Sequence, residues 1–277
     1  MKVAKVITTC FIKRSIRLKS CLNGDPLGFF AHSQIFNSPE EVIDLIKFNI
    51  SQEKSINPGV KARDLIIVNN DVGNKKGNSF LKKISGIKIP FGKIKVCNRK
   101  NIGMSFGAYN YAFKKYRNKY DFFLFTEDDI IIAKENYFRV GIELFKKNNK
   151  IGYVAYVHTT KVSKDFDKKL KLKKGRAASC HGAIGLSSNT ILNKVYKKHG
   201  KLPHYNGNDY DKCITFGEVG FPSSFKELGY KVADLPRELI LAIPATDLMK
   251  GFKYKKWPTK FEKFIYYLKK KIFTHLV

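Results

Sequence analysis

The sequence predicts an α/β protein in which a mixed, mostly parallel sheet is flanked by helices on both faces. Short apolar runs such as Val3–Thr9 and residues 122–126 are typical of strands that are buried on both sides. Segments with apolar residues three and four positions apart separate these runs, as expected of amphipathic helices. The 277 residues are enough to bury the core of one large domain.

The first half of the chain begins with a β-branched strand, Val3–Thr9, followed by an irregular stretch over residues 11–37. A helix is predicted to begin after Ser38, because Pro39 suits the first helical position and Glu41 completes a capping box. This half is completed by a helix over residues 105–116 and by strands over residues 65–68, 94–97 and 122–126.

The second half continues the alternation of strands and helices. Gly229 follows one helix directly, as expected of a glycine in the left-handed conformation at a helix end. No internal repeat and no Pro- or Gly-rich linker divides the chain. The predicted elements are helices over residues 136–147 and 189–198, a helix ending near Leu228, and strands over residues 151–157 and 230–233.

The charge of the chain is strongly positive, with 53 Lys and Arg against 23 Asp and Glu, a net +30. Such a chain is attracted to polyanions: nucleic acid, an anionic membrane surface or phosphorylated substrates. No zinc finger, RNP or helix-turn-helix motif is present, so nucleic acid is not expected as a partner. The five cysteines are scattered without a CxxC pair, which argues against a zinc ribbon or disulfide framework and favours a reducing cytosol.

Three acids follow the predicted strand over residues 122–126 directly: Glu127, Asp128 and Asp129. Open α/β sheets bind ligands in the crevice at the carboxyl ends of their strands. Adjacent carboxylates repel one another, and a hard divalent cation such as Mg²⁺ or Mn²⁺ relieves that repulsion. The pattern indicates either a metal–diphosphate site or an acidic turn after a strand.

Polar and small residues also follow the other predicted strands. Thr8 and Thr9 end the first strand, and Asn70 and Asp71 follow the second. The third runs into a segment that contains Arg99, Asn101 and Gly103. Asp71 is also suited to an Asx turn, and Arg99 with Lys100 is also typical of simple surface charge. These residues are candidates to face a ligand at the same edge of the sheet as the three acids.

Several segments, in order, resemble the family 2 type of GT-A-fold, nucleotide-sugar glycosyltransferase. They are the N-terminal strand, LIIVNNDVG, NRKNIGMSFGAYNYAF, FFLFTEDDI and GEVGFPSSFKELGYKV, and together they span roughly residues 3 to 235. The resemblance implies one GT-A domain over residues 1–249, with a nucleotide half to about residue 130 and an acceptor half after it. It implies a nucleotide-diphosphate sugar donor, a glycan or lipid-linked acceptor, and Mn²⁺ or Mg²⁺ as cofactor.

The resemblance also assigns roles to residues. Asp129 corresponds to the usual direct metal ligand, with Glu127 and Asp128 beside it. Glu218 corresponds to the general base of an inverting displacement; the alternative is an acid that complements a helix dipole. The nucleotide-sugar contacts would be Thr8, Thr9, Asn70, Asp71, Arg99, Asn101 and Gly103.

The chain departs from the family pattern at two places. It has Glu127-Asp128-Asp129 where an Asp-x-Asp is usual, and Glu218-Val219 where Glu-Asp is usual. The second departure leaves a catalytically silent relative as one alternative function. A basic nucleic-acid-binding protein without catalysis is the other, supported only by the net charge.

Two segments of the chain, residues 161–176 and 250–277, are strongly basic. Residues 161–176 hold seven Lys and one Arg against two Asp and are expected to form a surface loop that is either solvated or anion-binding. Residues 250–277 hold nine Lys and one Glu around a helical apolar stripe, the pattern of a basic amphipathic helix on an anionic membrane. The alternative is a helix packed on the core. We therefore expect a cytoplasmic protein, attached peripherally to the cytoplasmic face of the inner membrane, with no transmembrane helix.

Overall fold

A computed structural model describes residues 1–12, 14, 15, 35, 36, 38–132, 134–157, 159, 160, 162, 165–235 and 242–244. The strands are β1 Val3–Thr9, β2 Arg14–Ser15, β3 Ile35–Phe36, β4 Arg63–Asp71, β5 Lys88–Ile89, β6 Gly92–Lys100, β7 Phe122–Glu127, β8 Ile130–Ile132, β9 Ile151–Ala155, β10 Thr159–Thr160, β11 Ser179–Cys180, β12 Gly185–Ser188, β13 Lys231–Asp234 and β14 Ala242–Pro244. The helices are α1 Pro39–Ser55, α2 Lys75–Ile84, α3 Met104–Tyr116, α4 Tyr137–Lys147, α5 Asp165–Lys169, α6 Asn189–His199, α7 Tyr210–Ile214 and α8 Gly220–Glu227. A 3-10 turn spans His181–Ala183 and a π-helical turn spans Thr215–Val219.

Eight strands form the main sheet in the order β13-β9-β12-β7-β1-β4-β6-β5. Strand β1 pairs in parallel with β4 on one side and with β7 on the other, and β4 pairs in parallel with β6. Strands β4 and β6 are thus added in turn on one side of β1, whereas β7, which follows them in the chain, is added on the other side of β1. This reversal leaves a crevice at the carboxyl ends of β1 and β7, where open α/β sheets bind ligands.

The core lies on both faces of the sheet, as the alternation along β4 shows. Ile66 and Val68 pack in a cluster that includes α3, α6 and α8, whereas Leu65 and Ile67 pack with α1 and α2. A third cluster joins α4 to β7, β9 and β12. Since successive side chains of a strand point to opposite faces, an all-apolar run satisfies both layers at once.

Most predicted elements are present, and the α/β class is confirmed. The first strand agrees over its full length, and the helix predicted over residues 105–116 is Met104–Tyr116. Gly229 has a φ of +84° after the last helix, as predicted. Ser38 occupies the predicted N-cap of α1, but its side chain makes no capping hydrogen bond.

Several short elements were not predicted, among them α2, β12 and α5. Helix α2 was missed because lysines surround its few apolar residues, and its start depends on the Asn74 side chain accepting a hydrogen bond from the Gly77 N–H at 2.8 Å. Strand β12 is short and runs antiparallel between β7 and β9, which makes the sheet mixed. Residues 161–176 were predicted as a surface loop but contain helix α5, so the prediction is wrong at Asp165–Lys169.

A charged cluster is buried where α1 crosses β1 and β4. The Lys5 Nζ donates to Glu53 Oε1 at 2.6 Å, the Arg63 guanidinium donates to Glu53 Oε2, and the Tyr137 hydroxyl donates to the same oxygen at 2.7 Å. Lys5, Glu53 and Arg63 are almost entirely inaccessible to solvent. Arg63 also donates to the Pro90 carbonyl at 3.1 Å, which ties the cluster to the end of β5.

Some predictions concern residues that lie outside the described ranges. The amphipathic segment at residues 250–277 lies outside the described residues, as do Cys21 and most of residues 13–37. Four cysteines are described, and all are buried thiols outside any disulfide: Cys10, Cys97, Cys180 and Cys213. Within the described ranges, no helix combines the length and apolarity needed to cross a membrane.

Candidate active site

The three acids lie at the carboxyl end of β7, in the crevice beside β1. Glu127 is the last residue of the strand and lies opposite Thr8 of β1. The Asp128 N–H donates to the Thr8 carbonyl at 3.0 Å, and the Asn49 side chain donates to the Asp128 carbonyl at 2.5 Å. These bonds fix the backbone of the acidic turn, with Asp128 nearly fully buried and Glu127 and Asp129 partly accessible.

Glu127 and Asp129 interact through their charges. Burial and the carboxylate of Asp129 raise the pKa of Glu127 to about 8, with a smaller contribution from Glu218. A hydrogen bond with Ser105, in the first turn of α3, partly opposes this rise. Like charges held this close favour either a shared proton or a bound cation.

The donor set at the acidic turn fits a cation that is completed by a substrate. Within the part of the chain that the structure describes, no group of three or more His, Cys, Asp or Glu side chains is arranged to hold a metal by itself. Mg²⁺ and Mn²⁺ commonly take only one or two carboxylates and obtain further oxygens from substrate phosphates and water. The pair formed by Glu127 and Asp129 matches that requirement.

Glu218 lies beside this pair, on the π-helical turn between α7 and α8. Its Oε1 accepts a hydrogen bond from the Gly182 N–H at 3.0 Å and lies 3.8 Å from His181 Nδ1. A Cβ placed on Gly182 would lie 3.1 Å from Glu127 Oε2, so Glu127 and Glu218 flank the same glycine. The tertiary structure therefore brings together carboxylates that are 91 positions apart in the sequence.

Gly182, which lies between the two carboxylates, is held in place by Tyr109. The Tyr109 hydroxyl of α3 donates to the Gly182 carbonyl at 3.1 Å, and its ring packs on Phe125 of β7 at 4.9 Å between centroids. Burial, followed by the charge of Glu127, raises the pKa of Tyr109, so its hydroxyl stays protonated as a donor. Gly182 has a φ of +58°, a conformation that glycine adopts without strain.

Three buried polar atoms, called here the floor atoms, belong to residues at the carboxyl ends of β1, β4 and β6, the same edge of the sheet as the acids. Thr9 Oγ1, Asn69 Oδ1 and Asn101 Oδ1 are buried and form no hydrogen bond with a described residue. Thr9 is the last residue of β1, Asn69 lies on β4, and Asn101 directly follows β6. Because buried polar atoms in folded proteins are nearly always hydrogen-bonded, the floor atoms are suited to a polar ligand.

Other predicted nucleotide contacts form hydrogen bonds within the protein. Arg99 donates to Asn70 Oδ1 and to the Ile102 carbonyl, the latter at 2.6 Å. Gly103 has a φ of +74°, and its N–H donates to the Gly207 carbonyl at 2.7 Å. These contacts tie the ends of β4 and β6 to the loop that precedes α7.

Asp71 adopts the turn that the sequence left open as an alternative. Its Oδ1 accepts hydrogen bonds from the Gly73 N–H at 2.8 Å and from Asn78 Nδ2 at 3.1 Å. The first of these bonds closes an Asx turn at the end of β4. Asp71 thus shapes the rim of the crevice beside the floor atom of Asn69.

An aromatic pair lies on the Glu218 side of the crevice. Phe216, two residues before Glu218, stacks on Tyr205 with ring centroids 6.1 Å apart and an angle of 23° between the ring planes. Phe216 is 38% exposed, which is unusual for so large an apolar side chain. The Tyr205 carbonyl lies against Gly103, where a Cβ would approach it to 2.6 Å.

Several residues of this site were not predicted from the sequence. Asn69, Ser105, Tyr109, Gly182 and Phe216 were not singled out. Only Asn69 carried a usable signal, since it is a polar residue at the end of an apolar strand directly before two predicted contacts. The others reach the site through packing between elements that are distant in the sequence.

No family model and no curated protein matches this sequence. Among solved structures, the chain is similar to the mannosyltransferase PcManGT from Pyrobaculum calidifontis in complex with GDP-Man and Mn²⁺, with a TM-score of 0.52 and 11% identity over 88% of this chain and 56% of that one. This chain therefore corresponds to little more than half of PcManGT.

Two further structures have TM-scores of 0.45. One is S. aureus TarS 1–349, with 11% identity over 85% of this chain and 58% of that one. The other is a cytidylyltransferase from Leptospira borgpetersenii, with 13% identity over 98% and 95%. The fold assignment rests on PcManGT, at an identity that supports an inference about fold alone. The chain therefore has the GT-A type of α/β fold, as the order of its sequence motifs predicted.

Proposed function

We propose that this protein transfers a sugar from a nucleoside-diphosphate donor to a hydroxyl of a glycan or lipid-linked acceptor, with inversion at the anomeric carbon. The observation that carries the proposal is the position of Glu218 beside Glu127, with the Gly182 backbone between them. One carboxylate group serves the diphosphate and the other serves the acceptor, as a single displacement requires. A catalytically silent relative would have no need to maintain this arrangement.

The donor would occupy the crevice at the ends of β1, β4 and β6. Thr9, Asn69 and Asn101 each supply a buried oxygen available to the base or ribose. Thr8, Asn70, Asp71, Arg99 and Gly103 then shape the walls through the hydrogen bonds already described. The diphosphate would lie at the end of β7, next to Glu127 and Asp129.

A divalent cation fits this position, with Asp129 as the direct ligand and Glu127 and Asp128 beside it. When bound, Mn²⁺ or Mg²⁺ would neutralise the negative charge that develops on the departing diphosphate. The protein's own contribution is to hold two carboxylates close enough to repel each other in the absence of positive charge. Ser105 orients Glu127 through its hydrogen bond.

Glu218 would act as the general base on the opposite side of the reacting carbon. The acceptor oxygen forms a bond to C1, the bond between C1 and the diphosphate oxygen breaks, and the diphosphate leaves with that electron pair. The acceptor's proton passes to the Glu218 carboxylate. The Gly182 N–H occupies Oε1, which leaves Oε2 to take the proton.

The acceptor sugar would pack on the aromatic pair formed by Phe216 and Tyr205. An exposed aromatic face two residues from the base offers an apolar surface to the C–H groups of a pyranose ring. Such a surface positions the attacking hydroxyl without requiring a charged contact. Phe216 would therefore contribute to the use of the acceptor and not to binding of the donor.

The proposal is tested by measuring binding and hydrolysis of a panel of nucleotide sugars with Mn²⁺ present, for wild type and Asp129→Ala. Wild type should bind at least one donor in a manner abolished by EDTA, and Asp129→Ala should lose this binding while remaining folded. Asp44→Ala is the matched control, because Asp44 is an exposed partner of Lys47 on α1. Full metal-dependent binding by Asp129→Ala, or no binding of any donor by wild type, would contradict the proposal.

A further inference from the structure

Residues 168–176, called here the basic loop, carry five Lys and one Arg and no acid. All five lysines are exposed: Lys168, Lys169, Lys171, Lys173 and Lys174. None of the six cationic side chains forms an ion pair with a described residue. Other surface lysines do so, as Lys198 does with Glu227 at 3.2 Å. The sequence left open whether this segment is merely solvated or binds anions.

The loop has a defined shape. The Asp167 carboxylate accepts hydrogen bonds from the Gly175 N–H and the Ala177 N–H, both at 2.8 Å. Arg176 donates to the Lys226 carbonyl of α8 at 2.5 Å, and Lys226 Nζ donates to the Gly175 carbonyl at 2.8 Å. The nearest acid is therefore engaged with backbone amides, which join the two ends of the loop, and the end at Gly175 and Arg176 is fixed against α8.

The loop borders the proposed base. A Cβ placed on Gly220 would lie 3.7 Å from Leu170 Cδ2 in the basic loop and 4.0 Å from Phe216 Cβ in the aromatic pair. Gly220 is two residues after Glu218. After the loop the chain passes through β11 directly to Gly182, whose N–H binds Glu218. The basic loop and the base thus lie on the same side of the crevice.

We propose that the basic loop binds phosphate groups of the acceptor, so that the acceptor is a phosphate-bearing glycan; this rests on the proposed function. Exposed cations without acidic partners repel one another, and a polyanion relieves that repulsion. Lysine ammonium groups on long stems act as adaptable point charges for phosphates in a flexible chain. Because the loop adjoins Glu218, the anion that it holds lies close to the attacking hydroxyl, as a phosphate of the acceptor would.

The test compares two variants of the full-length chain, each with four Lys→Gln changes. The loop variant changes Lys168, Lys171, Lys173 and Lys174. The control variant changes Lys82, Lys83, Lys88 and Lys93, exposed lysines of α2, β5 and β6 near the opposite edge of the sheet. Circular dichroism establishes that both are folded. The probes are short-chain inorganic polyphosphate, duplex DNA and vesicles of phosphatidylglycerol, each titrated over a range of salt concentrations.

The loop variant should bind polyphosphate at least about tenfold more weakly than the control variant. The slope of log affinity against log salt concentration should be less steep by about three for this variant. Four lysines are changed, and each phosphate contact that is lost removes roughly 0.7 from the slope. Equal affinities of the two variants would overturn the proposal, as would a loss by the loop variant that is confined to vesicles. Tighter loop-dependent binding of duplex DNA than of polyphosphate would assign the loop to nucleic acid. Donor binding is measured separately, so failure of the proposed function remains distinguishable from failure of this inference.

Discussion

The buried charged cluster of Lys5, Glu53 and Arg63 gives a prediction whose size follows from the structure. Two cations, Lys5 and Arg63, share the single carboxylate of Glu53, and all three are almost inaccessible to solvent. Burial, together with the charge of Arg63, lowers the pKa of Lys5 from 10.5 to about 7. The unfolded chain therefore holds the Lys5 proton over a pH range in which the folded protein has released it.

The sign and size follow from this difference. Between about pH 7 and 10.5 the unfolded state binds more protons than the folded state, so the free energy of unfolding rises with pH in that window. Each unit of pKa difference corresponds to about 1.4 kcal/mol. From about pH 6 to about pH 9, wild type should gain about 3 kcal/mol relative to a variant that lacks this group.

Lys5→Met is the variant that isolates the effect. Methionine fills a similar volume, and Glu53 keeps its bonds from Arg63 and Tyr137. We expect the variant to be at least as stable as wild type near pH 6, because a buried unbalanced charge has been removed. Its advantage should shrink by about 3 kcal/mol toward pH 9 as wild-type Lys5 loses its proton.

The measurement is urea unfolding followed by circular dichroism across this pH range. Lys47→Met is the control, because Lys47 is exposed and, among the described residues, forms its ion pair with Asp44 on the same helix. Its stability difference from wild type should be small and independent of pH. A constant difference between wild type and Lys5→Met would refute the reasoning, since it would mean that the bond to Glu53 keeps Lys5 charged throughout.

Three further predictions concern the proposed reaction and location. Glu218→Gln should lower kcat by about 10²-fold or more with little change in donor affinity, and an equal loss of donor binding would assign Glu218 a structural role. Phe216→Ala should raise the KM for the acceptor while donor hydrolysis is unchanged, whereas Phe91→Ala, equally exposed but on the turn before β6, should leave both unchanged. A chain lacking residues 251–277 should still bind donor but should no longer sediment with anionic liposomes at low salt, whereas the full chain should sediment. Equal sedimentation of the two chains would indicate that this segment is part of the core.

Local composition was sufficient to predict the strands that position the candidate site. The β-branched and apolar runs of β1, β4 and β7 are buried on both faces. A strand buried in this way must be apolar at nearly every position, so its sequence is recognisable. The three acids had to lie at a carboxyl end, because they follow an apolar run that only a buried strand explains. The prediction of a ligand-binding crevice beside Glu127, Asp128 and Asp129 therefore required no information from residues distant in the sequence.

Only the tertiary structure decided what surrounds those acids. Glu218 meets Glu127 because the π-helical turn packs against the 3-10 turn at Gly182, and no local pattern encodes that contact. Arg99 and Asp71, which were predicted as ligand contacts, also form hydrogen bonds with nearby groups of the protein. Polar residues at strand ends are compatible with either role from sequence alone. The choice between them is set by which backbone and side-chain groups lie within hydrogen-bonding distance after the chain has folded, a long-range property that residue type and spacing do not contain.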